Sequence, residues 1–515
     1  MQVEDKDLLK NYLTEDEPFG PIDAIDIDDH KALNYLFEKH NKIYNSLLKR
    51  PTIILGRKGS GKTSYLNSVY FSNQYDYIVE IESSDLITNV VNILSSAKNE
   101  PVFSEKISKI WENFLCIEVL KKIRCEIPKT YTSKKLIDDY LAKIGCRDET
   151  TIDDILWNIT DIVSENGKGK LAGTISSILQ SLSNTSFLNV KNTLISDLKK
   201  DKKKIVLLID SLDDFQLHFN KIGYAIQGLL KFIGQANKPS SPIDIRLCLP
   251  SELYHKFSDF SSNPNKDFKK RVLLQWLASE LVIVAAHRLH LYLEIHGKQN
   301  SDIYDSTKQG SQDFLELILP LKVTSKLGVD ENPLAYILRH TQLLPRHLLI
   351  LLNSIYQMNK RYNNGDTKFS DVAIRKGISA VEEILVKEII TAYKSVYPFA
   401  QDVCSNCIPE LHNKFSIGDL ERVFRRHGQK AMRTDDFDEF KKMLIEMGII
   451  GKVLNEENRY IQAEFEYTVP HKLVSGTDDF LCFHPLFAGV YSAKTNGQKP
   501  VYPYGSRIED KDYRL

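Results

Sequence analysis

One short segment concentrates glycine, lysine and threonine at a spacing that suits phosphate chemistry. Residues 56–63 read Gly-Arg-Lys-Gly-Ser-Gly-Lys-Thr and fill every constrained position of G-x-x-x-x-G-K-[ST]. Glycines in such a loop let consecutive backbone N–H groups converge on phosphate oxygens, while Lys62 reaches the β- and γ-phosphates and Thr63 helps to hold Mg²⁺. We therefore predict a nucleotide-binding loop made of Gly56, Arg57, Lys58, Gly59, Ser60, Gly61, Lys62, Thr63 and Ser64.

A second segment supplies carboxylates. The apolar run 205–209 ends in Asp210, and Asp213 and Asp214 follow closely. In proteins with such loops, an acid that ends a buried strand holds Mg²⁺ through water, which is the role we predict for Asp210. Either Asp213 or Asp214 would orient or deprotonate the attacking water, and the sequence does not choose between them.

The elements around these motifs must bring them together. A buried-strand signal precedes the loop and a helix-compatible stretch follows it, which argues against the alternative of a glycine- and lysine-rich surface turn. Continuous apolar runs that alternate with helices are typical of a parallel sheet covered on both faces. Such runs occur at 51–55, 77–81, 204–210, 243–249 and 272–276.

Helical periodicity dominates two further regions, one between the second and third strands and one after the last strand. The predicted fold class is α/β: a P-loop NTPase parallel sheet with a large helical insert, a helical lid and a C-terminal winged-helix-like domain. The predicted domains are a lead segment at 1–50, the core at 51–276 with the insert at about 86–200, the lid at 277–380 and the winged-helix-like domain at 381–515.

Composition limits the possible partners. The 515 residues include 68 basic and 68 acidic side chains, so a polyelectrolyte partner that covers the whole surface is not expected. An apolar fraction of 42% is typical of globular proteins. No apolar run is long enough to span a membrane, the acidic start is unlike a signal peptide, and the seven cysteines do not resemble a disulfide framework. We expect a cytoplasmic multidomain protein.

The segments GRKGSGKT and IDSLDD together resemble the motifs of bacterial P-loop ATPases of the STAND/AAA+ lineage. The resemblance spans roughly residues 18–490. It extends to shorter elements at Pro18–Gly20, Leu249–Glu252, Trp276, Glu280, Leu281 and His340–Arg346, the last of which reads HTQLLPR.

This resemblance implies further site residues. Ser251 and Glu252 fall where such ATPases place a polar sensor beside the γ-phosphate. Arg346 falls where the lid offers a sensor arginine, although an arginine at a helix start that pairs with a surface carboxylate explains it equally well. Arg271 is a candidate arginine finger for a neighbouring subunit, against the favoured alternative of a solvated basic turn.

The C-terminal region carries two weaker signals. Helices near 416–427 and 436–448 and strands around 451–453 and 460–468 predict a winged helix whose acidic side chains favour a packing role over DNA binding. Cys404 and Cys407 are expected to be buried thiols, since one pair with His412 is incomplete for zinc. The basic candidates for DNA contact are Arg422, Arg425, Arg426, Lys430 and Arg433, and the acidic residues are Glu439, Glu446, Glu456, Glu457, Glu464 and Glu466.

The expected function is Mg²⁺-dependent ATP hydrolysis that drives a switch or a motor, with ATP and Mg²⁺ as cofactors. Its output would pass to another copy of the chain, in a homo-oligomer, or to a separate effector protein, with DNA as an optional partner and no membrane. The resemblance implies a bacterial phage-defence or DNA-associated system. The alternative is a nucleotide-gated module that hydrolyses little ATP and grips DNA through the winged helix.

Overall fold

The computed structural model divides the chain into two units by its internal contacts. One unit comprises 1–44, 57–64 and 274–515, and the other comprises 45–56 and 65–273. The structure describes residues 3–36, 51–67, 75–82, 90–91, 94, 104–146, 185–210, 219–237, 240–254, 270–298, 303–362, 368–469, 473–476, 478–494 and 499–503.

The unit that contains 65–273 is built on a five-stranded sheet of order β2-β3-β4-β1-β5. The pairs β2–β3, β3–β4 and β4–β1 are all parallel. The predicted α/β fold with a parallel sheet is therefore confirmed: each apolar run contains a strand, and the strands from 53–56, 205–210 and 243–250 are mostly buried. The strands are β1 Ile53–Gly56, β2 Tyr77–Glu82, β3 Ile205–Asp210, β4 Ile243–Pro250 and β5 Arg271–Leu274.

Helices of the predicted insert pack beside this sheet. The helix Ser104–Ile123 packs on Phe219–Ala236, and the buried indole of Trp111 donates a hydrogen bond of 2.7 Å to the carbonyl of Ala225. Residues 147–184 of the insert, together with Asp213 and Asp214, lie outside the described residues. The other helical segments among the described residues of this unit are Thr132–Lys143, Thr185–Lys200 and the 3₁₀ turn Ser251–Leu253.

The other unit contains the helices that were predicted as a lid. The lid helix, Pro345–Tyr362, packs along Asp371–Ala392. A hairpin of β6 (Val323–Thr324) and β7 (Asp330–Glu331) interrupts the helical periodicity that runs from Ala278 to about 394. The described helical segments that precede the lid helix in the chain and lie in this unit are Val3–Lys10, the 3₁₀ turn Ala24–Asp26, His30–Leu36, Ala278–Ile295, Lys308–Glu316 and Pro333–Leu338. The short helix Lys62–Leu66 follows the glycine-rich loop.

The C-terminal region forms a winged-helix-like domain around a sheet of order β12-β10-β9-β11-β8. Its strands are β8 Lys414–Ser416, β9 Ile450–Glu456, β10 Ile461–Glu464, β11 Phe480–Phe483 and β12 Val501–Tyr502. Its helical segments are Ala400–Cys407, the 3₁₀ turn Ile408–Glu410, Ile417–Val423, the π-helical Phe424–Gly428, Gln429–Met432, Phe437–Glu446 and Pro485–Val490.

Two local expectations for this domain can be compared with the structure. The strand expected at 460–468 is shorter and ends at Glu464, because the following residues form a turn in which the N–H of Thr468 donates to the carbonyl of Phe465. The expectation of buried thiols is confirmed, since Cys404 and Cys407 lie in the core.

His484 connects this domain to the segment that precedes the helix Pro345–Tyr362. Its Nε2 lies 3.1 Å from the carbonyl oxygen of Thr341, and its Nδ1 accepts a hydrogen bond of 3.2 Å from the N–H of Leu486. The ring is fully buried. Burial, reinforced by the charges of Arg57 and Arg339, lowers the pKa of His484 to about 3. Both bonds therefore belong to a neutral imidazole that donates through Nε2.

Acidification is expected to destabilise the protein through this residue. An unfolded histidine titrates near ~6.5, so between that pH and about 3 only the unfolded state binds this proton. Its contribution is complete above pH ~6.5 and falls by ~1.4 kcal/mol per pH unit below it. In His484→Asn, urea unfolding measured at pH 6 and pH 5 should show a pH dependence smaller by about one proton.

His340 and His347 are also buried with lowered pKa values and continue to titrate in that variant. The contribution of His484 is therefore the difference between the wild type and His484→Asn in the pH dependence of the unfolding free energy. An identical pH dependence in both would contradict the assignment of His484.

Candidate nucleotide-binding site

The predicted loop follows directly on β1. Gly56 ends the strand, residues 57–61 form the loop, and the short helix Lys62–Leu66 begins at the motif lysine. Gly59 and Gly61 have φ angles of +81° and +86°. Residues with a Cβ rarely adopt this conformation, so the motif glycines are required by the path of the backbone.

The motif lysine is held against the loop. The Nζ of Lys62 lies 3.3 Å from the carbonyl oxygen of Arg57, and the side chain is only 5% exposed. Thr63 and Ser64 follow it in the short helix and are half-buried. The ammonium group therefore lies over the loop, where a phosphate chain would be bound.

A tryptophan fixes one peptide of the loop. The indole N–H of Trp276 donates a hydrogen bond of 2.9 Å to the carbonyl of Ser60, and both residues are buried. The bond orients the Ser60 carbonyl towards the indole. Trp276 belongs to the resemblance described above, which gave it no role in the loop.

Arg57 connects the loop to two other parts of its unit. One Nη atom donates a hydrogen bond to the side-chain oxygen of Gln342, which comes from the segment before the lid helix. The guanidinium also lies over the ring of Tyr467, 5.4 Å from its centroid, a geometry that allows a cation–π interaction. The loop thus contacts both the lid region and the winged-helix-like domain.

Gln342 extends this connection. While its oxygen accepts from Arg57, its Nε2 donates hydrogen bonds of 3.1 Å to the carbonyls of Met447 and Gly448. These carbonyls lie in the turn that leads into β9. One buried amide therefore links a loop cation to the backbone of the C-terminal domain.

The positive charge of Arg57 affects its neighbours. Burial raises the pKa of Tyr467 well above its ordinary value, and the Arg57 cation opposes that rise. Burial also lowers the pKa of His347 well below its ordinary value, and Arg57 adds to that decrease. Both neighbours are therefore neutral at physiological pH, and Arg57 carries the charge of this cluster.

Arg346, the predicted lid sensor, lies on the loop. Its backbone N–H is 3.4 Å from the carbonyl oxygen of Gly59, and a Cβ placed on Gly59 would lie 3.0 Å from the Cβ of Arg346. Its guanidinium forms ion pairs with Asp23 and Glu388. The pairing with carboxylates that the alternative expected therefore occurs, and the sensor role of Arg346 remains a prediction.

In the sheet-containing unit, three strands end at one edge. Gly56 of β1 is in register with Pro250 of β4, and Asp210 ends β3 on the other side of β4. Because Ile209 is in register with Leu247, β3 ends two residues before the level of Gly56 and Pro250. With neighbouring strands ~4.8 Å apart and a rise of ~3.3 Å per residue, the ends of β1 and β3 are separated by roughly 12 Å. This carboxyl edge is where ligands bind in open parallel sheets.

The candidate sensors follow β4 at this edge. Ser251 and Glu252 lie in the 3₁₀ turn directly after Pro250, and Glu252 is buried. The Ser251 hydroxyl is 3.5 Å from the Glu252 carboxylate. A sensor role for either residue remains a prediction.

Arg271, the candidate finger, opens β5 and is exposed. Its guanidinium lies 5.2 Å from the ring centroid of Tyr254 and donates to the hydroxyl of that tyrosine. This contact holds the side chain within its own unit. A role in a neighbouring subunit stays a prediction.

The polar atoms around the loop fit a bound polyphosphate. Among the described residues, several buried polar atoms without a hydrogen-bond partner cluster here: Arg57 Nε and Nη1, Ser60 Oγ, Arg346 Nε and Tyr467 Oη. Donors of this kind, at a loop that carries Lys62, match the oxygens of a triphosphate. Lys62 would hold the phosphates, and the hydroxyl of Thr63 is a ligand type that Mg²⁺ prefers.

Several residues at this loop were not found by sequence reasoning as parts of a site. Gln342, Tyr467 and Asp23 lie far from residues 56–63 in the chain, and no local pattern signals the contacts of Tyr467 and Asp23. Gln342 alone had a signal, because it lies inside the HTQLLPR segment.

The parallel sheet and the loop that follows β1 define a P-loop NTPase fold, to which a winged-helix-like domain is added. In the part of the chain that the structure describes, no helix is long and apolar enough to cross a membrane. The STAND lineage inferred from the motifs is a finer assignment and remains a prediction.

Comparison with known proteins adds remote similarities. No protein-family model matches the chain. A protein of Escherichia coli (strain K12) named "Putative transposon gamma-delta 80.3 kDa protein" is 19% identical over 430 residues, which cover 80% of this chain and 57% of that protein. The chain thus spans a little more than half the length of this relative.

Two solved structures can be aligned with most of this chain. Cdc6p from Pyrobaculum aerophilum has a TM-score of 0.33 and 12% identity, with 93% of this chain and 96% of that chain covered. The ORC2 protein of Aeropyrum pernix, solved as ADPNP–ADP complexes, has a TM-score of 0.36 and 11% identity, with 92% and 97% covered. At these low scores the fold assignment rests on the chain's own topology.

Proposed function

We propose that the protein is a Mg²⁺-dependent ATPase that works as a nucleotide-driven switch. The loop geometry and the buried donors around it support ATP as the ligand. Lys62 would bind the phosphates, and Thr63 and Asp210 would hold Mg²⁺, which would neutralise charge on the transferred phosphoryl group. Asp213 or Asp214 would orient the attacking water.

The contacts of Arg57 carry the proposal that binding acts as a switch. A change in the loop would alter the bond of Arg57 to Gln342 and its contact with the ring of Tyr467. These two residues belong to the lid region and the winged-helix-like domain. A phosphate that draws Arg57 towards itself would therefore loosen the C-terminal domain.

The test compares nucleotide effects on the C-terminal domain in two variants. In the wild type, ATP should change backbone hydrogen exchange in β9 and β10, and Tyr467→Leu should reduce that change at least about twofold, since a cation–π contact contributes about 0.5–2 kcal/mol. Tyr460→Leu is the matched control, because the Tyr460 ring meets the ring of Tyr502 edge to face. An unaltered ATP response in Tyr467→Leu would contradict the proposed route.

The output would pass to another copy of the chain or to an effector protein. Light scattering with and without ATP tests self-assembly directly. A phage-defence or DNA-associated setting is proposed on the resemblance alone, and the name of the bacterial relative links that protein to a transposon.

A nucleotide-gated DNA-binding module is the alternative outcome. Arg422 and Arg425 are exposed on the winged-helix-like domain but pair with Asp419 and Glu421, at 3.2 and 2.6 Å. This pairing reduces the positive charge available to a phosphate backbone. Hydrolysis that duplex DNA stimulates, with a stimulation that falls as salt rises, would favour the alternative, whereas indifference to DNA would favour the switch.

A further inference from the structure

The guanidinium of Arg346 is shared between two carboxylates from different parts of its unit. Glu388 lies on the helix that packs along the lid helix, with its Oε1 3.4 Å from Nη1 of Arg346. Asp23 pairs with the opposite Nη atom. The Arg346 side chain is 14% exposed, and the Asp23 side chain is 36% exposed. One cation therefore faces two anions in a partly desolvated position.

The segment before Asp23 is hydrogen-bonded to the lid helix. In this segment, the N–H of Phe19 donates to the side-chain oxygen of Asn353 at 3.1 Å, and the Asn353 amide donates to the carbonyl of Gly20 at 3.1 Å. Asn353 lies about two helical turns beyond Arg346. Because this segment is bound to the lid helix, the carboxylate of Asp23 lies at the start of that helix, where it pairs with Arg346.

Glu388 and Asp23 differ in how much regular secondary structure holds each of them in place. Glu388 belongs to a long helix, Asp371–Ala392, that packs along the lid helix. Asp23 precedes a single 3₁₀ turn, and its side chain does not cap that turn. Asp23 is therefore the anion that a phosphate can replace at the smaller structural cost.

We propose that Asp23 is an intramolecular competitor of the nucleotide: its carboxylate occupies Arg346 until a phosphate chain on the loop takes that cation over. The inference rests on the proposed function, because it requires that the loop of residues 56–63 binds a polyphosphate. Asp23 acts through Arg346 and is a positioning residue. While the Asp23 carboxylate is paired with Arg346, that cation is not available to a polyanion, and Asp23 opposes nucleotide binding in this way.

The experiment measures the dissociation constant of ATP–Mg²⁺ for the full chain at moderate salt. Asp23→Asn should lower it about fivefold, as expected for the release of a half-exposed ion pair. Asp23→Glu should return it to the wild-type value, because the charge is restored. In an Arg346→Ala background, Asp23→Asn should have no effect, because the residue through which it acts is gone.

Asp16→Asn is the matched control. Asp16 lies in the same N-terminal segment, is exposed and pairs with Lys360 at 3.0 Å, so this variant should bind ATP as the wild type does. A thermal unfolding midpoint for each variant shows that it is folded. A dissociation constant in Asp23→Asn within twofold of wild type, or an equal gain in the Arg346→Ala background, would overturn the inference. Failure of the wild type to bind ATP would instead overturn the proposed function and the inference with it.

Discussion

Lys62→Ala is expected to abolish ATP binding, with a dissociation constant raised ~10²- to 10³-fold and no measurable turnover. Lys62 supplies the ammonium group of the loop, and its Nζ already lies over the loop at the carbonyl of Arg57. Charge-assisted hydrogen bonds to phosphate are worth ~1.5–3 kcal/mol each, and every ~1.4 kcal/mol is a factor of ten in affinity. Isothermal titration with ATP–Mg²⁺ measures the loss.

Lys58→Ala gives the comparison for Lys62→Ala, since it removes the same charge from the same loop at a position that the motif leaves unconstrained. It should weaken binding by less than about tenfold. Full ATP affinity in a folded Lys62→Ala protein would refute the assignment of the loop.

Neutralising one of the two acids after β3 should separate binding from hydrolysis. We expect either Asp213→Asn or Asp214→Asn to keep the ATP dissociation constant within a few-fold of wild type and to lose ~10²- to 10⁴-fold in turnover. A carboxylate that orients or deprotonates water acts in the transition state, so its removal lowers kcat and leaves ground-state affinity nearly unchanged.

Each of these two variants serves as the control for the other. The position whose amide variant retains turnover is not the one that acts on water, and both proteins carry the same change in charge. Single-turnover phosphate release with prebound ATP measures the chemical step directly. Normal turnover in both variants would mean that neither acid acts on water.

The sheet and the loop were predictable because their signals are local. The apolar run 205–209 cannot remain in water, and its length and β-branched content favour a buried strand. The glycines at positions 59 and 61 are needed for the positive φ angles that the structure has there. A strand or a binding loop whose residues are consecutive in the chain can therefore be predicted from the sequence alone.

The surroundings of the loop were not predictable, because they depend on contacts between distant parts of the chain. The sequence predicts Tyr467 as a strand residue. In the structure the strand ends at Glu464, and the ring of Tyr467 lies against the guanidinium of Arg57. Asp23 lies in a short polar segment whose destination no periodicity indicates. The motif Pro18–Gly20 marks this segment as unusual, and only the contacts with Asn353 show where it docks.

The hydrogen bond between Trp276 and the carbonyl of Ser60 provides the protein with an internal optical reporter. The emission of an indole depends on the polarity around it and on its hydrogen bonds, and this one is bonded to the backbone of the phosphate-binding segment. The chain has only two other tryptophans, Trp111 and Trp157. With both replaced by phenylalanine, the colour and quenching of the remaining fluorophore would follow the rearrangement of that segment in real time, without any attached dye.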